Sequence, residues 1–137
     1  MINSAYYNST MPTRFIVIDD EEINILVSEF TIRRYNKNAD THQFTNPGLA
    51  LEFIKDPVNQ HGEHAKTIIL LDINMPLMTG LEFLDEFGIM EMGLQKQFTI
   101  YMLSSSIDPA DMERVGKYDF VSGYFLKPLS ELHLNTV

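Results

Sequence analysis

Five polar side chains of this sequence stand directly after short apolar runs. Asp19 and Asp20 follow the first run, and Asp72, Ser104 and Lys127 follow later ones. Three carboxylates brought together would repel one another, and their pKa values would rise unless a cation neutralised them. No His or Cys stands near them in sequence, so the site would use oxygen ligands alone and would suit a hard cation, most naturally Mg²⁺. With the Lys127 ammonium for an anion and a carboxylate as nucleophile, the set is equipped for phosphoryl transfer.

The apolar runs have the pattern of strands buried on both faces of a parallel sheet. The run 67–71 has no charged residue, consists of apolar and β-favouring residues, and stops at Asp72, with Pro76 and Gly80 marking the loop beyond it. The predicted strands cover residues 14–18, 41–45, 67–71, 98–103 and 120–126.

Helical signals alternate with these strands. Asn46-Pro47 and Asp108-Pro109 each join a capping residue to a proline that suits a first turn, so they predict the starts of the second and fourth helices. The third helix begins near Thr79, and residues 130–137 can form only about two turns of a fifth. Apolar residues at helical spacing predict the faces that pack on the sheet. These predicted faces are Ile23, Leu26, Val27 and Phe30 in the first helix, and Leu49, Ala50, Phe53 and Ile54 in the second.

Strand followed by helix, repeated five times, predicts the fold class. The alternation is typical of an α/β protein, a three-layer αβα sandwich with parallel strands joined by right-handed crossovers. The carboxyl ends of parallel strands lie at one edge of the sheet, where ligands of open α/β folds bind. We therefore expect the five polar side chains to converge at that edge.

Composition excludes several classes of function. The chain has 137 residues, which suits one domain, and its net charge of −9 comes without a basic stripe, so direct nucleic-acid binding is not expected. The absence of cysteine excludes disulfides and thiolate metal sites and fits a cytoplasmic location. No apolar run approaches the roughly 18–20 residues that span a bilayer, so membrane insertion is not expected. Residues 1–12 have the composition of a polar tail and not of a secretory signal, which places the domain at 13–137.

The chain resembles the receiver domain of two-component response regulators in the order of these residues and in their places at the strand ends. The residues that carry the resemblance are Asp19-Asp20, Asp72, Ser104 and Lys127-Pro128. The resemblance extends over about residues 13–137, and Met75-Pro76 and Gly80 fit the loop that follows the acceptor in that family. It implies a doubly wound, flavodoxin-like sheet of five parallel strands in the order 2-1-3-4-5. It also implies a phosphoacceptor signalling domain, not an enzyme in the usual sense, whose only catalysis would be its own phosphorylation and dephosphorylation.

The resemblance assigns the acidic residues to a phosphoacceptor and a metal site. Asp72 would accept a phosphoryl group from the phosphohistidine of a sensor histidine kinase or a histidine phosphotransfer protein. Asp20 and Asp72 would bind Mg²⁺ directly together with the backbone carbonyl of Asn74, and Asp19 would help to hold the ion, often through water.

The remaining family positions imply a conformational switch. Ser104 would hydrogen-bond the attached phosphoryl group, Lys127 would pair with it, and the Lys127-Pro128 bond would be cis. Tyr124 matches the aromatic switch position and would turn into the space that Ser104 leaves on moving. A surface of the fourth helix, fifth strand and fifth helix would then change and bind an unknown downstream protein.

Other interpretations remain open at this level. A Mg²⁺-dependent aspartyl phosphohydrolase would usually carry an acid two residues after its nucleophile, where this chain has Asn74. A degenerate receiver could serve as a scaffold independent of phosphorylation, although the intact site residues argue against this. A nucleotide or flavin site is disfavoured because no Gly-rich loop follows the first strand. Only nine residues follow Pro128, and an output domain needs at least roughly 50, so we expect a stand-alone receiver or a fragment of a longer regulator.

Overall fold

A parallel sheet of five strands organises the fold in the computed structural model, which describes residues 13–60, 66–106 and 108–137. The strand order is β2-β1-β3-β4-β5, and every neighbouring pair is parallel. The fold class and the order 2-1-3-4-5 are therefore confirmed. The strands are β1 (Arg14–Ile18), β2 (Asp40–Phe44), β3 (Thr67–Leu71), β4 (Phe98–Ser104) and β5 (Val121–Leu126).

Six α-helices connect or flank these strands in the part of the chain that the structure describes. They are α1 (Glu22–Tyr35), α2 (Pro47–Lys55), α3 (Gly80–Gly88), α4 (Met92–Gln95), α5 (Pro109–Val115) and α6 (Glu131–Leu134). The cap signals are confirmed: the side chains of Asn46 and Asp108 each accept a hydrogen bond from a first-turn amide, and Thr79 forms a capping box with Glu82. The four-residue helix α4 was not predicted, and α6 is shorter than the predicted two turns.

Side-chain alternation along the strands divides the core into two layers. Ile16 and Ile18 of β1 belong to the cluster beneath α2, α3 and α5, whereas Phe15 and Val17 belong to the cluster beneath α1 and α6. β3 divides in the same way and is buried at all five positions. Burial on both faces explains why these strands have continuous apolar sequences.

The prediction of the buried face of α1 was wrong. Ile23, Leu26, Val27 and Phe30 are between 40% and 65% exposed. The residues that pack on the sheet are Ile25, Ser28 and Ile32. α1 carries apolar residues on two sides, and the small Ser28 suits the side that lies closest to the sheet. Periodicity shows that a helix has an apolar face but does not choose between two of them.

The second helix shows a smaller difference. Ala50 and Ile54 are buried as predicted, and Pro47 and Leu51 are buried as well. Leu49 is exposed and Phe53 is only partly buried. No helix among the described residues is long and apolar enough to cross a membrane.

Candidate functional site

Main-chain hydrogen bonds extend the sheet beyond its strand ends and place the polar residues there. The Asp72 amide donates to the Ile18 carbonyl (3.0 Å), and the Asp19 amide donates to the last carbonyl of β2 (3.1 Å). The Lys127 amide donates to the Ser104 carbonyl at 2.7 Å. The carboxyl ends of β1, β3, β4 and β5 therefore meet at one edge with the predicted side chains on them.

Three carboxylates form a cluster at this edge. Asp19, Asp20 and Asp72 each offer one oxygen, and these oxygens lie within 4.8 Å of one another. Asp19 and Asp72 are buried, and Asp20 is partly exposed. A largely buried, purely carboxylate set at this spacing fits a hard divalent cation.

Lys127 lies between two of the carboxylates. Its Nζ is 2.5 Å from Asp19 Oδ2 and 3.4 Å from Asp72 Oδ1. Burial by itself lowers the pKa of the lysine, but the hydrogen bonds and charges of Asp19 and Asp72 together outweigh it and raise the pKa above its usual value. The ammonium is therefore fixed, charged and within reach of any anion attached to Asp72.

The surroundings of Asp72 disfavour the charged form of its carboxyl group. Burial, and then the charge of Asp19, raise the pKa of Asp72 to about 6. The charge and hydrogen bond of Lys127 and the backbone amide of Asn74 act in the opposite direction. A carboxylate held in this way gains from any added cation that shares the site.

The loop after Asp72 packs against the backbone of Asp72 itself. The Gly80 amide donates to the Ile73 carbonyl at 2.8 Å. A Cβ at position 80 would lie 2.5 Å from the Asp72 carbonyl oxygen and 2.9 Å from Ile73 Cα. Only a residue without a side chain allows α3 to begin this close to the phosphoacceptor candidate. In the sequence, Gly80 was identified only as a loop residue.

The end of β4 and the loop after it bury one serine and place another in the lining of the cavity beside Asp72. Ser104 is buried, and its hydroxyl accepts a hydrogen bond from the Ser106 amide at 3.4 Å. Ser105 instead lines the cavity of about 380 Å³ that opens beside Asp72. The Tyr124 hydroxyl donates to the Ser106 carbonyl at 3.3 Å, which connects the predicted aromatic position to this loop. The Lys127-Pro128 bond is cis, as predicted.

Comparison with known proteins identifies the family of this chain. The family model of the response regulator receiver domain matches residues 15–137. The chain belongs to this family. No curated protein matches the chain.

Solved structures of response regulators share the fold. A two-component response regulator from Cytophaga hutchinsonii superposes with a TM-score of 0.80 at 28% identity, covering 92% of this chain and 93% of that one. A response regulator receiver protein from Dyadobacter fermentans has a TM-score of 0.80 at 22% identity, with coverages of 90% and 93%. A chemotaxis protein from Vibrio cholerae has a TM-score of 0.67 at 23% identity, with coverages of 91% and 95%. The last two likenesses show the fold alone.

Receiver domains act in phosphoaspartate signalling with histidine kinases or phosphotransfer proteins and downstream effectors, and they are not typical enzymes. They bind Mg²⁺ at an acidic cluster, and this receiver groups Asp19, Asp20 and Asp72. Sequence reasoning missed one side of its site: Asn24 and Val27 of α1 line the cavity beside Asp72. Once the α1 prediction is corrected, Val27 connects the cavity to the exposed apolar side of that helix.

Proposed function

We propose that this chain is a receiver that is switched by phosphorylation of Asp72. The phosphoryl group comes from the phosphohistidine of a sensor histidine kinase or a histidine phosphotransfer protein, in a reaction that requires Mg²⁺. The phosphorylated form then binds a downstream protein. The observation that carries this proposal is the placing of Asp72 beside Asp19, Asp20 and the Lys127 ammonium.

The chemistry follows from these groups. A carboxylate oxygen of Asp72 attacks phosphorus, the P–N bond to the donor imidazole breaks, and its electron pair returns to the ring nitrogen. Asp20, Asp72 and the Asn74 carbonyl would hold Mg²⁺, with Asp19 assisting through water. A cation bound there would neutralise the charge of the phosphoryl oxygens. Lys127 pairs with one of those oxygens, which requires only that it exchange one carboxylate partner for the new anion.

Phosphorylation would change the β4–α5 loop through charge. It replaces the single charge of the Asp72 carboxylate with a phosphoryl group that carries roughly −1.5 to −2 charges, and this group attracts the Ser104 hydroxyl toward its oxygens. Because Tyr124 bonds the Ser106 carbonyl in the same loop, a shift of Ser104 alters the position of the tyrosine. The surface formed by α5, β5 and α6 would thereby change. Identical Tyr124 NMR signals in the phosphorylated and free forms would contradict this step.

The exposed side of α1 is suited to contact the phosphoryl donor. We name it the α1 ridge, which consists of Ile23, Leu26, Val27 and Phe30. An exposed apolar strip of this kind marks a protein contact surface. A phosphohistidine must enter the cavity beside Asp72, and Val27 belongs both to that cavity and to the ridge.

The ridge can be tested separately from the chemistry. Leu26→Ser should slow phosphoryl transfer from a phosphohistidine protein that serves the wild type, while phosphorylation by acetyl phosphate stays unchanged. Leu132→Ser removes a leucine that is 77% exposed on α6 and is the matched control. Equal transfer rates for both variants would remove the ridge from the donor contact.

The proposed function is tested by phosphate incorporation from acetyl phosphate, with and without Mg²⁺. We expect an adduct that needs Mg²⁺, is stable to acid and labile to alkali, and is absent from Asp72→Asn. Glu86→Gln, an exposed carboxylate of α3, is the control and should behave as wild type. Absence of the adduct would favour a scaffold. Continuous release of phosphate from unrelated esters would instead indicate a phosphohydrolase.

A further inference from the structure

We infer that Phe125 and His133 are positioning residues for Lys127, because their stacked rings join the two ends of the segment that carries this lysine. The inference rests on the proposed function, since it concerns the lysine that would pair with the phosphoryl group. Among the described residues that line the cavity beside Asp72, neither ring is found, whereas Lys127 is, so we expect any effect on phosphorylation to act through Lys127.

Three rings form a continuous stack across the sheet face beneath α6. Tyr101 of β4 and Phe125 of β5 have centroids 4.8 Å apart and planes inclined by 10°. Phe125 and His133 of α6 have centroids 4.5 Å apart and planes inclined by 11°. We call this set the ring stack. It ties the last two strands of the sheet to the final helix.

Lys127 lies within the short segment that the ring stack closes. Phe125 stands two residues before the lysine, and His133 stands six residues after it. Inside the segment, the Lys127 amide bonds the Ser104 carbonyl (2.7 Å) and the Leu129 carbonyl accepts from the Thr31 hydroxyl (3.3 Å). The ring contact fixes the segment at its ends, and these two bonds fix its middle. Together, the ring contact and the two hydrogen bonds fix the backbone position from which the Lys127 side chain extends.

β5 needs this additional restraint because it is an edge strand. Within the part of the chain that the structure describes, β5 pairs only with β4. That pairing has a bulge, since Ile100 pairs with Val121 but Tyr101 pairs with Gly123. The missing side chain at position 123 leaves room for the tyrosine ring, because a Cβ there would lie 3.0 Å from Tyr101 Cδ1. The stack therefore begins directly over the irregular part of the strand and continues toward Lys127.

His133 has two roles that substitutions can separate. Its ring stacks on Phe125, while its Nδ1 accepts a hydrogen bond from the Ser130 amide at 3.2 Å. The Ser130 hydroxyl accepts from the His133 amide in return, which completes a capping box at the start of α6. Glu is the usual residue at this capping position. His133→Glu therefore keeps the cap and removes the ring, and His133→Phe keeps a ring and removes the cap acceptor.

The test compares these two variants and Phe125→Leu in the Mg²⁺-dependent reaction with acetyl phosphate. We expect His133→Glu to lower the rate constant at saturating donor by about two- to tenfold, the range that corresponds to the loss of one aromatic pair. Phe125→Leu removes two pairs and should lower it at least as much. His133→Phe should react at the wild-type rate although its thermal midpoint falls. If the role of His133 were purely structural, the rate would follow stability. His133→Phe, which loses the cap, would then be slower than His133→Glu, which keeps it.

A second readout does not depend on phosphorylation. In protein labelled with ¹⁵N-lysine, the ammonium of Lys127 should give a protected NMR signal in the wild type and in His133→Phe, because it is bonded to Asp19. The signal should broaden or shift in His133→Glu. Wild-type rate and wild-type signal in folded His133→Glu would overturn the inference. No incorporation by the wild type, with the expected change in the lysine signal, would overturn the proposed function and leave the positioning role supported.

Discussion

Replacement of Gly80 by alanine should damage both stability and phosphorylation. The new Cβ would lie 2.5 Å from the Asp72 carbonyl oxygen, and its other near neighbours are also backbone atoms. Real contacts of this kind exceed 3.0 Å, so the start of α3 and the Asp72 backbone must separate by at least about 0.5 Å. Overpacking of this kind costs about 1–3 kcal/mol, and the better helix propensity of alanine offsets at most about 1 kcal/mol.

The same displacement should slow the reaction at Asp72. A shift of about 1 Å in a reacting group can cost on the order of 10²-fold in rate, so about 0.5 Å should cost on the order of tenfold. Urea unfolding gives the stability change, and incorporation from acetyl phosphate at saturating Mg²⁺ gives the rate. Gly93→Ala is the matched control, because its Cβ would meet nothing closer than a flexible Glu91 oxygen at 3.6 Å. If Gly80→Ala equals Gly93→Ala in both measurements, the close packing of α3 on Asp72 does not restrain the site.

Three further predictions follow from the pKa shifts. Burial and Asp19 raise the pKa of Asp72 to about 6, so the folded state binds the proton more tightly than the unfolded chain does, and stability falls as pH rises from about 4 to about 6. Asp72→Asn should therefore be more stable than the wild type at pH 7 without divalent cations, by up to about 3 kcal/mol in urea unfolding. Burial lowers the pKa of His133, so its contribution to stability is present at neutral pH and is lost as pH falls through its ordinary value of 6.5. His133→Phe should lose this dependence in a pH series of unfolding curves. The hydrogen bond to Asp85 raises the pKa of Tyr118 to about 12, and Asp85→Asn should return it toward 10 in a spectrophotometric titration.

Each of these predictions has a control and a contrary result. Addition of Mg²⁺ should remove the stability advantage of Asp72→Asn, and an advantage that persists unchanged would mean that charge repulsion is not its cause. The His133 series is best measured in the Asp72→Asn background, where the carboxylate no longer titrates; identical pH curves with and without the histidine would contradict the prediction. For Tyr118, Glu86→Gln is the control, and an unchanged titration in Asp85→Asn would show that the 2.6 Å bond does not persist in solution.

The sequence by itself determined the fold class and the three carboxylates and the lysine that meet at the edge of the sheet. Strands buried on both faces must be apolar throughout, so the run 67–71 and its ending at Asp72 were visible without any structure. Helix starts were also visible, since Asn46 and Asp108 cap through bonds to residues two positions away. Once the strands are parallel, their ends share an edge. The convergence of the polar residues then follows from topology alone.

Tertiary structure alone decided which side of α1 is buried, how close Gly80 lies to Asp72, and which ring packs on Phe125. The two apolar sides of α1 are equivalent within the helix, and only contact with the sheet distinguishes Ile25 from Leu26. In the sequence, Gly80 cannot be distinguished from any other loop glycine. Only the packing of α3 against the carbonyl of Asp72 shows that a side chain is excluded at this position. His133 is an isolated histidine in the sequence, and its partner lies on another element. These features depend on distances between segments that are remote along the chain, whereas periodicity and capping act within a few residues.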